Sequence, residues 1–317
     1  MLKFHQFPFL CLVFFSLCMV PLRADFQGAE EMIEGVYKDD PRYPKRLLDL
    51  GATNTNYQVK KGGESYFFRL SSGLFKELYS SQEVEYSVLN QLENTHIAPR
   101  PYFFDPKRGI LITEYIEHDE IAVDLLDQKV QKTVCDMLKR VENEKLDVDR
   151  VFHPYLETLA LVKKAVAPLP QGFHEKALSA LMKISKKLEQ YPKKTLCHLD
   201  LHHKNILRKG DRLFFIDWEY AAMSHPYHTL ASMASIERWS DEMMWQILGN
   251  YTDRPTQQDR DCMALYRIVS DLFWTAWCHL QMENPSTNSP YKEWRDLFFL
   301  AAMERIEKFE TDQGGAC

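Results

Sequence analysis

Residues 195–220 read TLCHLDLHHKNILRKGDRLFFIDWEY, and the fold is decided by how this stretch is parsed. An apolar lead-in, Leu196-Cys197, delivers His198-Leu199-Asp200. Asn205 opens an apolar step, Lys209-Gly210-Asp211 is a turn, and Leu213 to Ile216 is a short buried strand that ends on Asp217. One tight hairpin therefore gathers two carboxylates and an amide. Phosphoryl transfer from a metal-bound nucleotide uses such a set. One carboxylate meets the incoming hydroxyl as base, and an amide with a second carboxylate holds Mg2+ against the phosphates, since this catalysis is mostly positioning and charge neutralisation. Asp200 fits the first role, Asn205 and Asp217 the second. The plain alternative makes both Asp residues turn formers. Another alternative is a zinc site on His198, His202 and His203, but no Cys or carboxylate pair at ligand spacing completes it. His198 reads instead as a structural brace of the loop.

The order Asp200, Asn205, Asp217, with Asn five residues after the first Asp, resembles the protein-kinase catalytic loop and its following metal-binding Asp. HLDLHHKNIL followed by FIDWEY is similar to the kinase-like family that includes aminoglycoside phosphotransferases, choline and ethanolamine kinases and bacterial thiamine kinases. The resemblance extends over most of the chain after about residue 45. It implies an α+β, two-lobed protein-kinase-like fold, with an N-lobe of antiparallel sheet plus one helix and a mostly helical C-lobe. The boundaries it suggests are 1–24 for a leader, 25–116 for the N-lobe and 117–317 for the C-lobe.

Outward from the loop, residues 46–60 read as two strands around Gly51 to Asn56. Lys61-Gly62-Gly63-Glu64 turns into a strand from Ser65 to Leu70. In the family such a loop lies over the nucleotide phosphates, which assigns Asn54 and Asn56 to ATP. Arg69 stands where protein kinases put their phosphate-binding Lys, and choline kinases use Arg there. Ser80-Ser-Gln-Glu83 reads as a capping box opening a helix. Glu85 on that helix is placed by the resemblance to pair with Arg69. Ile97-Ala98-Pro99 breaks the chain, and the strand from Gly109 to Thr113 leads to Glu114, the expected hinge beside the adenine edge. Residues 123–190 carry helical periods, with Leu125, Leu126, Val130, Val134 and Leu138 on one face, and a polar connection from Val141 to Asp149.

Beyond Asp217, Glu219 and Tyr220 match the choline and thiamine kinases. Glu219 is placed either to assist the metal or to face a cationic substrate. Where the family continues Asp-Leu-Ala, this chain has Thr229-Leu230-Ala231, with Thr229 expected to cap the next helix. The segment Asp271 to Gln281 resembles the Phe-Trp-x-x-Trp…Gln helix of choline kinases. Trp274 and Trp277 share a helix face, and two indoles over a quaternary ammonium each supply a cation–π contact of about 0.5–2 kcal/mol. The implied reaction is phosphorylation of a small cationic alcohol, choline or ethanolamine, with ATP and Mg2+. Thiamine kinase is the near alternative, and an exported, non-catalytic binding protein the distant one.

Composition bounds these readings. With 317 residues, 45% of them hydrophobic, the chain can bury a substantial core. A net charge of −6 with interspersed signs argues against a nucleic-acid surface and suits a cationic substrate. Residues 1–24 pair Lys3 with an apolar run from Phe7 to Val20, too short for an ordinary span and read first as a cleaved signal peptide. Pro8 and the imperfect Leu22-Arg23-Ala24 site keep an uncleaved anchor or a later start at Met19 or Met32 open. No stable membrane insertion is expected if the leader is removed. The scattered cysteines suggest no disulfide framework, and ATP is a cytoplasmic reagent. Compartment therefore stays divided between cytoplasm and export, and oligomeric state stays open.

Overall fold

A computed structural model describes residues 28–50, 54–71, 81–119, 121–283 and 289–314. The leader and its two cysteines lie outside the described residues, as do Ser80 and the first residues of the loop before Asn54. Five strands, β1 (Lys45–Leu50), β2 (Asn54–Lys61), β3 (Glu64–Ser71), β4 (Pro101–Asp105) and β5 (Ile110–Glu114), form one antiparallel sheet in the order β1-β2-β3-β5-β4. Gly62 and Gly63, at φ 60° and 88°, close the β2–β3 turn in the left-handed region that glycine enters without a Cβ clash.

The period-two alternation of β5 assigns its faces. Ile110 and Ile112 join Val59 and Phe68 under Met32, Ile33 and Val36 of α1 (Ala29–Tyr37). Leu111, with Phe104, turns to the other face, where Tyr86, Val88 and Leu89 of α2 (Gln82–Leu92) cover it and continue into the main core. The expected single N-lobe helix is α2, and α1 is a second one. Arg108 holds α1 through Glu30 at 2.6 Å, and Arg42 through Glu31 at 3.0 Å. The cap of α2 is Ser81, whose Oγ accepts from Val84 N at 3.1 Å, one residue later than the sequence reading placed it.

The rest is mostly helical: α3 (Gln128–Asn143), α4 (Pro154–Lys164), α5 (Leu178–Leu188), α6 (Pro226–Ile236), α7 (Asp241–Tyr251), α8 (Gln257–Met282) and α9 (Tyr291–Gly314). Asp127 caps α3, so Leu126 falls before the helix and is exposed, which corrects its place in the apolar stripe. Val141, read as the start of a polar connection, is the last buried residue of α3. The helix α8 opens with a Thr256/Asp259 capping box and is buried along most of its length, which makes it the axis of this lobe. No helix among the described residues is long and apolar enough to cross a membrane.

Two small two-stranded ladders, the second a hairpin, complete the strands. β6 (Thr195–Cys197) pairs with β9 (Ala222–Ser224), and β7 (Ile206–Lys209) with β8 (Arg212–Phe215), both antiparallel. Together they frame residues 195–220.

Candidate active site

Between β6 and β7 the chain makes a loop and a short 3-10 turn, His203–Asn205. Asn205 Nδ2 donates to the Asp200 carbonyl at 2.8 Å and to Asp200 Oδ2 at 3.3 Å, which fixes the amide against the carboxylate. The Ile216 backbone N donates to Asn205 O at 3.0 Å and binds the end of β8 to the same turn. Hydrogen bonding also explains His198: Nε2–H donates to Ile216 O at 2.8 Å, so the ring spans from the loop to the residue before Asp217. Its burial, the main cause, lowers its pKa to about 4, and it is neutral at neutral pH. Leu199 and Asp217 both have left-handed backbones, φ 65° and 66°. For non-glycine residues this conformation persists only where surrounding contacts enforce it, and here it aims the residues that carry the carboxylates.

Helix α6 supplies much of that enforcement. Thr229 Oγ1 accepts from His198 N at 3.2 Å, while Glu237 Oε1, just past the helix end, accepts from His203 N at 2.7 Å and from His203 Nδ1 at 2.8 Å. Thr229 is thus not a cap. His225 caps α6 through its Nδ1, and Thr229, inside the helix, holds the loop instead. Glu237 also gives the His202–His203 pair the carboxylate that sequence spacing did not reveal, with ligand atoms close enough to share an ion.

The roof comes from the sheet. Arg69, buried on β3, donates from Nη1 to Glu85 Oε2 at 2.7 Å and from Nη2 to Asp217 Oδ1 at 3.2 Å. Burial pushes the Glu85 carboxyl up to about 7, with Arg69 pulling it back. Burial alone would lower the Arg69 guanidinium, but Glu85, Asp217 and Glu219 hold it above its ordinary value, so it stays charged. Asn56 lies opposite Arg69 in the β2–β3 register. Its side-chain Oδ1 and Arg69 Nε are both buried without a hydrogen-bond partner.

These groups line one cavity of about 530 Å³. Asn54, Asn56, Arg69, Asp200, Asp217, Glu219, Tyr220, Trp274 and Trp277 all border it. Glu85 reaches it only through Arg69. Glu114 does not border it; it ends β5, and its carboxylate accepts weakly from Arg100 N at 3.4 Å. Trp277 Nε1 donates to Tyr220 Oη at 2.7 Å and Trp274 Nε1 to Ser232 Oγ at 3.2 Å, so both indoles are held by their N–H groups. Ring centroids then run Tyr220, Trp274, Trp277 at 5.6 and 5.5 Å. Lys204, Arg238, Trp294 and Phe298, which the sequence did not point to, also border the cavity, as do His202 and His203, read from the sequence only as an incomplete zinc set. Trp294 and Phe298, four apart on α9, offered a helical-face signal, but nothing local says which way that face points.

The donor set fits a hard divalent cation. Glu85, Asp217 and Glu219 bring carboxylate oxygens close enough to share one ion. Burial, and then Asp217, drive Glu219 well above the usual carboxylate range, while burial and Asp217 do the same to Asp200. A crowd of carboxylates facing one guanidinium would be relieved by added positive charge.

A two-lobed protein-kinase-like fold that closes on such a site is that of a phosphotransferase. The family model for the "Phosphotransferase enzyme family" matches residues 46–266, and the chain belongs to that family. It is similar to the protein LicA of Haemophilus influenzae, 24% identical over 259 residues, 76% of this chain and 74% of the relative. In structure it is similar to the choline kinase LicA from Streptococcus pneumoniae, with a TM-score of 0.74 at 22% identity, covering 89% of this chain and 100% of that one. A structure of LicA in complex with AMP gives a TM-score of 0.71 at 21% identity, over 88% and 98% of the two chains.

Proposed function

We propose that this phosphotransferase moves the γ-phosphoryl group of ATP to the hydroxyl of a small cationic alcohol, choline first and ethanolamine second. The observation that carries this reading is the shared cavity. It gathers Asp200, Asp217 and Glu219 with Trp274 and Trp277, and Asn205 is hydrogen-bonded to Asp200. An alcohol whose ammonium rests on the indoles can present its oxygen to Asp200, the carboxyl group that would accept its proton. Asn205 and Asp217 would hold Mg2+, which supplies charge neutralisation at the phosphates. Arg69, kept charged by Glu85, and the Asn56 amide stand ready for phosphate oxygens. The likeness to choline kinases and to a protein that binds AMP supports the same substrates. Four described cysteines, Cys135, Cys197, Cys262 and Cys278, are free and buried, which supports a reducing compartment for residues 25–317.

ADP release measured across choline, ethanolamine, thiamine and an aminoglycoside tests the reading. Choline should give the highest kcat/KM; a preference for thiamine or the aminoglycoside, or no Mg2+-dependent turnover with any of them, would overturn it. A protein that folds and turns over only when made under oxidising conditions would reverse the compartment reading.

A further inference from the structure

We propose that Ser232 is a positioning residue that ties the aromatic wall of the cavity to the backbone in front of Asp200. Its hydroxyl is saturated in both directions: it accepts from Trp274 Nε1 at 3.2 Å and donates to Leu199 O at 2.5 Å. Leu199 immediately precedes Asp200 and holds φ at 65°, a conformation that leucine does not keep unaided. Ser232 is 1% exposed and Trp274 6%, so neither bond has water as a ready substitute. Thr229 and Glu237 grip the loop from the same side of the fold, but their partners are loop atoms alone. Glu237 also reaches a ring that borders the cavity, but that ring, His203, belongs to the loop itself, whereas the Ser232 hydroxyl ties the loop to a cavity ring on another element, Trp274 of α8. An indole settled against a bound ammonium therefore holds the carbonyl that sets the direction of Asp200. Through this one hydroxyl, occupancy of the cage favours the placement of the base.

The inference rests on the reading that cage and loop serve one transfer, so the assay uses whichever alcohol the panel identifies. An inactive wild-type enzyme would fault that reading, whereas unaffected variants of an active enzyme would fault this one. Ser232→Ala should lower kcat about ten- to hundredfold with KM for ATP within about twofold, the pattern of a lost orientation rather than lost nucleotide binding. Trp274→Phe keeps a π face and removes the N–H; kcat should fall about three- to tenfold while KM for the alcohol moves less. In the double variant the losses should not multiply, because both substitutions cut one chain of bonds. Ser232→Thr retains the hydroxyl, and a hole of about 10 Å³ beside Ser232, Leu199 and Trp274 can take part of its methyl, so it should recover most of the lost kcat. Unchanged kcat in folded Ser232→Ala, or losses that multiply, would overturn the proposal. If Ser232→Ala does not fold, Trp274→Phe decides alone: wild-type kcat there overturns it.

Discussion

The floor of the cavity and its aromatic wall are built in opposite ways. The floor, Asp200, Asn205 and Asp217, comes from one continuous stretch whose hydrogen bonds are mostly to itself or to α6. The wall joins Tyr220, at the end of that same stretch, to the two consecutive helices α8 and α9, and its rings meet in tilted and edge-to-face contacts. The floor is polar, crowded with carboxylates and strained at two residues, whereas the wall is apolar and packed. Reaction chemistry tolerates little variation in geometry, so it is held by a short, over-determined segment. The rings of the wall are tied to that segment at two points, Trp274 through Ser232 and Trp277 through Tyr220.

The sharpest way to break this contrast is at the floor. Asp200→Asn should lower kcat by about 10²–10⁴, the usual worth of a positioned general base, with nucleotide binding intact. Asp217→Ala should instead abolish Mg2+-dependent nucleotide binding in a calorimetric titration, and normal affinity there would remove Asp217 from the metal site.

Acid should pull the two parts of the molecule in opposite directions. His225 and His228, in the helical lobe, have pKa values lowered by burial to about 4 and about 3. Below an unfolded value near 6.5 the unfolded chain takes up protons that the folded one refuses. Each therefore removes up to about 1.4 kcal/mol of stability per pH unit, from about pH 6.5 down toward those values. The Asp200 and Glu219 carboxyls shift the other way. Glu219 is raised, so its ionised form costs stability above the ordinary Glu range, and Glu219→Gln should raise Tm at pH 8 without Mg2+ and lose that advantage toward pH 4.5. Melting curves of wild type, Glu219→Gln and His228→Asn between pH 4.5 and 8 check both signs. Parallel curves for all three would erase the distinction between the regions.

At the wall the effects are smaller. Trp277→Leu keeps the site apolar but removes a π face and the hydrogen bond to Tyr220. KM for choline should rise about three- to thirtyfold, matching one cation–π contact, with KM for ATP unmoved. A joint decline of both substrates with a lower Tm would make the indole a packing residue. Trp294→Leu, at the exposed outer end of the wall, should raise KM for choline less than about threefold, because a solvated ring adds little. A larger rise there than at Trp277 would relocate the cage toward α9.

Much of the site was legible because its signals are local. Spacing and alternation placed β7, β8 and the end-on Asp217, whereas the Arg69–Glu85 pair was implied by the resemblance to the kinase-like family, and the ion pair is present. What stayed hidden depends on contacts between distant segments. Helix α1 has an ordinary amphipathic pattern whose partner, one face of β2, β3 and β5, lies further along the chain. Glu237 looked like any helix-end carboxylate until the fold brought it to His203. Thr229 satisfied a capping pattern, but the His225 ring occupies the cap, and tertiary packing turned Thr229 toward the loop.

By itself, then, the amino-acid order placed Asp200, Asn205 and Asp217 on one turn-and-strand segment and Trp274 and Trp277 on one helix face, because turns and hydrophobic periods act over a few residues, while the two-lobed architecture followed from the family resemblance those residues carry. Only the tertiary structure decided that Glu114 stays off the cavity, that Trp294 and Phe298 border it, and that Ser232 joins wall to floor. A side chain's direction within its own element follows from local geometry. What it meets is set by how whole elements bury their apolar faces together, and that is a property of the entire chain.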